Sequence, residues 1–232
     1  MNLAIFDLDN TLLLGDCDMA WARFLVEQGL YGPEHYQKRL AYYQDYQQGR
    51  LNMPEYLAYQ LATLAAFSPE TLTDLHEAYM TSEILPMICP TALSLVALHQ
   101  RAQDEVMVIT ATNTFLAWPI VQHFGIDHLI GVDAEQNAQG YYTGRYVGEP
   151  SFSMGKVKRL KAWLAQRGQS LKDFDEVYFY SDSHNDLPLL QQVNHPIVVN
   201  PDERLNKVAQ QQGWPILSFG HRLAPKGAHQ GV

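Results

Sequence analysis

Cysteine is scarce in this chain of 232 residues: Cys17 and Cys89 are the whole complement, and their separation matches no metal-binding motif. That excludes a disulfide framework and a thiolate cage, and it suits a reducing compartment. No apolar stretch approaches the roughly 20 residues that span a bilayer. The N-terminus carries no basic segment ahead of an apolar one. The expectation is a soluble, cytoplasmic protein with no membrane partner. Cations are also few, with 16 Lys and Arg against 25 Asp and Glu and a formal net charge of -9. Phosphate-backbone binding needs clustered cations, so no nucleic-acid partner is expected. What is present, 47% hydrophobic and 18% charged residues, is enough for one large domain or a core with a smaller companion.

The first informative stretch is Phe6-Asp7-Leu8-Asp9-Asn10-Thr11. Leu3-Ala4-Ile5-Phe6 ahead of it reads as a buried strand, so both carboxylates fall where that strand gives way to a loop. In a doubly wound α/β fold this carboxyl edge is where ligands bind. Two carboxylates two residues apart, with the Thr11 hydroxyl two further on, suit a hard cation and leave one oxygen to attack or to move a proton. We read Asp7 as a nucleophile and Asp9 as its acid/base partner. An EF-hand loop would also begin Asp-x-Asp-x-Thr and would reach Asp18 at its twelfth position. Leu12 occupies the sixth, however, where the turn requires Gly.

The next strand does not follow at once. Residues from about 18 to 80 read as successive amphipathic helices. Asp18 is expected to cap one bearing Trp21, Phe24, Leu25 and Val26. Pro33 opens a second with Tyr36, Leu40, Tyr43 and Tyr46 or Gln47 at helical spacing. Asn52 starts a third and Ser68 a fourth. Eight of the 13 tyrosines fall between Tyr31 and Tyr79, either as core with hydroxyls at the rim or as a wall facing the acidic loop. Pro90 opens a helix that precedes the strand Val106–Ile109, which ends at Thr110-Ala111-Thr112-Asn113. A helix bearing Phe115, Trp118, Val121 and Phe124 then begins with its free amides at the same edge, as a plain cap or an anion site.

From Leu129 to Val147 the pattern is that of a β-hairpin flap turning at Ala138-Gln139-Gly140. Lys156 falls in the first turn of the next helix, where a cation opposes the macrodipole and gains nothing structurally. The strand Val177–Tyr180 runs into Ser181-Asp182-Ser183-His184-Asn185-Asp186 and delivers two more carboxylates to the edge. Four acidic groups left bare there would repel by several kcal/mol, so a divalent cation is the natural compensation. With oxygen ligands only, Mg²⁺ is favoured over Zn²⁺. His184 reads as a surface loop residue. A last strand, Pro196–Val199, leads to a helix, and the tail from about His221 is expected to fray.

Asp7-x-Asp9-x-Thr11, Thr110, Lys156 and Asp182-x-x-Asn185-Asp186 together resemble the four motifs of the haloacid-dehalogenase-like phosphatases, in order and across nearly the whole chain. The helical insertion is similar to the type-1 cap of the branch that holds phosphoserine and some histidinol-phosphate phosphatases. The resemblance implies a doubly wound, Rossmann-like parallel sheet from residues 1–15 and 86–232, with a helical cap over 16–85. It implies attack by Asp7 to form an aspartyl-phosphate, with Asp9 protonating the leaving group and then activating water. Mg²⁺ would be held by Asp7, the Asp9 carbonyl and Asp182, with Asp186 holding its waters. Thr110, Ala111, Lys156 and Asn185 would serve the phosphoryl group, Asn185 by orienting its loop. In that branch an acid nine positions after the nucleophile binds the substrate amine. Asp16 stands there with Asp18 nearby, and Arg39 and Arg50 are the candidates for a carboxylate-binding arginine. The expected substrate is a small phosphorylated metabolite bearing an amine, histidinol phosphate ahead of phosphoserine. A phosphotransferase or mutase, or a non-catalytic phosphoryl-binding module, would use the same scaffold.

Overall fold

The computed structural model describes residues 1–220, so the tail from His221 lies outside the described residues. The chain builds a seven-stranded sheet around its first strand, β1 (Leu3–Phe6), whose four residues are fully buried. The other strands are β2 (Glu105–Asn113), β3 (Leu129–Gln136), β4 (Tyr142–Val147), β5 (Val177–Ser181), β6 (His195–Val199) and β7 (Ile216–Leu217). Their spatial order is β4-β3-β2-β1-β5-β6-β7, parallel except for β4. Phe6 is aligned with Val108 of β2 and with Tyr180 of β5. That register brings the residues following all three strands to one edge. Burial on both faces is what a parallel sheet requires, and it explains the unbroken apolar run of β1.

Alternation along β1 divides the core. Ala4 and Phe6 join the apolar cluster on one face, with helices α1 (Cys17–Glu27), α4 (Pro69–Tyr79), α5 (Pro90–Arg101) and α6 (Thr114–His123). Leu3 and Ile5 join the other, with α7 (Met154–Gln166), α8 (Leu187–Leu190) and α9 (Glu203–Gln212). Helices α1, α2 (Pro33–Gln47), α3 (Met53–Ala65) and α4 all fall between β1 and β2, followed by a π turn at Met80–Ile84. The chain leaves and returns side by side. Leu14 N donates to Met87 O at 2.8 Å, and Leu13 bridges Ile88. Asn52, Ser68 and Asn113 cap α3, α4 and α6 as the sequence indicates.

Several expectations are corrected. Asp16, not Asp18, caps α1, accepting from Met19 N at 2.7 Å, and Asp18 lies buried inside the first turn. In α2 the buried residues are His35, Arg39 and Tyr42 rather than the Tyr36/Leu40/Tyr43 face, because Arg39 has an acidic partner beneath it. β2 continues through Thr110–Asn113 instead of stopping at Ile109. Trp118 is 37% exposed, and Leu116, Ala117, Ile120 and Val121 bury the helix. The hairpin is the edge of the main sheet, since β3 pairs in parallel with β2. The short strand β7 was not foreseen.

Candidate active site

Four loops and the inserted helices enclose one acidic cavity. Asp7, Asp9, Asp16, Asp18, Asp182 and Asp186 all line it, with Thr110, Ala111 and Lys156. Thr11 does not: its hydroxyl is buried without a hydrogen-bond partner.

The Asp7 corner is built by a buried lysine. Lys156 Nζ lies 2.9 Å from Asp7 Oδ1 and 2.8 Å from Asp186 Oδ2. Ser181 Oγ donates to the same Asp186 oxygen at 2.7 Å. Gly155 makes this approach feasible. A Cβ there would fall 2.0 Å from the Pro150 carbonyl oxygen, so only glycine lets α7 start so close to its preceding loop. Burial pushes the Asp7 carboxyl up to about 6; Lys156 opposes the rise and Asp186 adds to it. For Lys156, burial pulls downward, but Asp186 and Asp7 outweigh it and hold the ammonium above its ordinary pKa. At neutral pH the pair is charged.

Asp9 occupies a different environment. Its Oδ1 accepts from Cys17 N and its Oδ2 from Thr112 Oγ1, each at 2.7 Å. Burial, then the negative charges of Asp16 and Asp18, push this carboxyl up to about 8. The two carboxyls thus meet different surroundings, and Asp9 keeps its proton to higher pH than Asp7. Thr112 was missed in the sequence. The available signal was its place two residues beyond Thr110, on the same side of the strand. Thr110 Oγ1 accepts from Thr112 N at 3.1 Å, which leaves the Thr110 hydroxyl proton for another acceptor.

The β5 loop completes the lower wall. Asp182 is 6% exposed and faces the cavity. Asn185 lies outside the lining; its side-chain amide meets Ser183 Oγ at 3.3 Å, a loop-holding contact. His184 is tied to Asp202, Nδ1 to Oδ2 at 2.8 Å, in keeping with a structural loop residue. Among the described residues no three His, Cys, Asp or Glu side chains form a ready-made metal cage. Asp7, Asp182 and the Asp9 carbonyl are the oxygens that could hold a cation here, with waters and ligand oxygens completing its shell.

The inserted helices supply the upper wall. Arg39 Nη2 lies 3.1 Å from both oxygens of Asp16, and its guanidinium stands 5.0 Å from the Tyr56 ring centroid. Asp18 accepts from the Tyr56 hydroxyl at 2.7 Å and from the Gln60 amide. Burial, opposed by Arg39 and reinforced by Asp16, pushes Asp18 up to about 6. Arg50 is elsewhere, exposed and paired with Asp45. Of the two candidate arginines, the structure brings Arg39 to the site.

Residues 4–191 match the haloacid dehalogenase-like hydrolase family. The chain belongs to that family. It is 47% identical to a histidinol-phosphatase of Neisseria meningitidis over 94% of this chain and 99% of the relative. It is 32% identical to a phosphoserine phosphatase of Mycobacterium tuberculosis over 99% of this chain and 74% of that protein. A Bordetella pertussis protein of unknown function superposes with a TM-score of 0.89 at 42% identity, covering 94% of this chain and 99% of that one. A substrate-bound phosphoserine phosphatase shares the fold, with a TM-score of 0.68 at 16% identity over 93% of this chain and 91% of that one. The chain is a phosphatase of the family, built as an α/β protein.

Proposed function

We propose that this phosphatase hydrolyses a small, amine-bearing phosphomonoester of the histidinol phosphate type through an aspartyl-phosphate on Asp7, with residues 16–85 acting as a cap. The carrying observation is the division of labour between two carboxyls: Asp7 held against Lys156 at 2.9 Å, and Asp9 isolated on Thr112 and Cys17.

In the first step an Asp7 oxygen attacks phosphorus and the bond to the substrate oxygen breaks. Asp9 passes its proton to the departing alkoxide. In the second, Asp9 takes a proton from water as the water attacks phosphorus, and the Asp7 carboxylate is released with inorganic phosphate. The Thr110 hydroxyl, the Ala111 amide and Lys156 bind phosphoryl oxygens throughout, where buried donors act at full strength. Asn185 keeps the β5 loop in place. The donor set of Asp7, Asp182 and the Asp9 carbonyl, with Asp186 nearby to hold waters, is all oxygen and incomplete, which suits Mg²⁺ with retained waters. Bound Mg²⁺ supplies charge neutralisation that lets one anion approach another.

Substrate choice follows from charge. Asp16 and Asp18 carry two negative charges and Arg39 one positive, so the upper wall keeps a net negative charge facing the substrate's far end. An amine is accommodated there. A carboxylate is disfavoured, because the Arg39 charge is offset by Asp16, whose two oxygens both lie 3.1 Å from its Nη2. Tyr42 and Tyr56 line the cavity and give it an aromatic wall that suits an imidazole. The relative named for histidinol phosphate supports the same choice.

The test is phosphate release from histidinol phosphate, phosphoserine and an aryl phosphate, with and without Mg²⁺. The expected result is Mg²⁺-dependent turnover with histidinol phosphate preferred. Preference for phosphoserine would overturn the substrate assignment, and transfer to alcohols without phosphate release would overturn hydrolysis.

A further inference from the structure

The inserted helices and the catalytic loops are joined by a hydrogen bond that the chemistry does not require. The Tyr46 hydroxyl, near the end of α2, donates to Ser183 Oγ at 2.9 Å across 137 positions of sequence. Ser183 is 2% exposed and belongs to the loop that carries Asp182 and Asp186. Its Oγ also accepts from Asn185 N at 3.2 Å, and its own N donates to Ser181 Oγ at 3.2 Å. Ser181 Oγ donates to Asp186, which shares Lys156 with Asp7. One hydrogen-bonded chain therefore runs from α2 to the nucleophile: Tyr46, Ser183, Ser181, Asp186, Lys156, Asp7.

The seam beside it is tight. Gly49, just past α2 at φ +68°, faces Arg204 and His184; a Cβ there would stand 3.1 Å from Arg204 Nη1 and 3.4 Å from His184 Nε2. His184 is fixed in turn by Asp202, which accepts from its backbone N at 2.7 Å and meets its Nδ1 at 2.8 Å. The tip of α2 thus rests on a rigid shelf, with the Tyr46 hydroxyl reaching past it into the core.

We propose that Tyr46 is a positioning residue, a latch that holds the helical insertion closed over the cavity through Ser183 and registers that closure on the Lys156–Asp7 pair. This rests on the phosphatase reading of the same site. Tyr46 need not touch the reacting atoms. Its bond is made when α2 is seated and broken when α2 lifts, so it sets how long the substrate and the aspartyl-phosphate stay shielded from solvent and from foreign acceptors. A phenol suits the task because its ring spans the gap rigidly, with few rotatable bonds to order.

The experiment compares wild type, Tyr46→Phe, Ser183→Ala and the double variant on the intact, Mg²⁺-supplied enzyme. Phenylalanine keeps the ring and removes only the hydroxyl. For the latch, Tyr46→Phe raises KM for histidinol phosphate about 3- to 10-fold, the size expected for one lost hydrogen bond, while kcat holds or rises. It also increases the fraction of phosphoryl groups passed to added glycerol. The double variant costs less than the sum of the two single variants, because both remove the Tyr46–Ser183 bond, while Ser183→Ala also loses the contacts to Asn185. Hydrogen exchange of the ligand-free variant accelerates in residues 44–50 and stays unchanged in β1 and β5. Additive effects, an unchanged KM and acceptor ratio, or unchanged exchange at 44–50 would overturn the latch. An inactive wild type would instead overturn the phosphatase reading, and the exchange measurement would still decide whether Tyr46 holds α2 down.

Discussion

Lys156 and Asp7 stand 149 positions apart in sequence and 2.9 Å apart in space, both almost fully buried. The lysine is shared with Asp186, so three charges occupy a pocket in which none would be stable alone. Removing the cation leaves two buried carboxylates facing each other. Lys156→Met is expected to lower kcat/KM by roughly 10³-fold or more and to destabilise the fold by about 3–5 kcal/mol. Steady-state kinetics and denaturant unfolding check this. A variant with wild-type stability would contradict the buried-pair description.

Asp9 makes the metal-free protein sensitive to alkali. Its carboxyl is raised in the fold from 3.8 to about 8. The folded state therefore holds a proton that the unfolded chain releases near pH 4. Stability from this proton is complete below the unfolded pKa and is lost as pH rises through about 8. Asp7 and Asp18, each raised to about 6, act in the same direction. In chelator, the Tm should fall from pH 5 to pH 8. Asp9→Asn, which keeps acceptor and donor without charge, should raise Tm at pH 8 by several degrees and change it little at pH 5. Thermal unfolding at both pH values decides; equal shifts would contradict the assignment.

Asp16→Asn separates the cap of α1 from the charge on Arg39. Asparagine caps a helix as well as aspartate does, so α1 should persist. The guanidinium, no longer neutralised, becomes available to a substrate carboxylate. The ratio of kcat/KM for phosphoserine over histidinol phosphate should rise about tenfold. An unchanged ratio would show that Arg39 does not govern this choice.

Metal dependence is tested at Asp182. Chelation should abolish turnover and added Mg²⁺ should restore it. Asp182→Asn should raise the Mg²⁺ concentration needed for half-maximal rate by at least about tenfold, with Asp7 chemistry otherwise intact. Turnover that persists in chelator would remove Mg²⁺ from the account.

The strand ends were legible because a buried parallel strand writes itself as an apolar run, and Asp7, Asp182 and Lys156 stand beside such signals. Lys156 was conspicuous for sitting where a helix start disfavours a cation. The inserted helices were legible by number and by their Pro and Asn starts. Their faces were less so. Arg39 is buried against Asp16, a partner 23 positions away, which no periodicity announces. The cap of α1 was misplaced because Asp16 and Asp18 offer the same side chain two residues apart, and the choice rests on which one keeps an extended backbone; Asp16 does, at φ -106° and ψ 117°. Tyr46 carries no local signal of its role, and Thr112 only its place two residues beyond Thr110. Their roles arise from long-range partners, Asp9 and Ser183.

The central claim is that Asp7 is the nucleophile. Rapidly quenched enzyme, mixed with histidinol phosphate and Mg²⁺ and then analysed by peptide mass spectrometry, should carry an acid-stable, hydroxylamine-sensitive phosphoryl group on Asp7. Asp7→Asn should show neither the modification nor turnover. Phosphate release with Asp7 unmodified at every time point, or full activity in Asp7→Asn, would contradict the account.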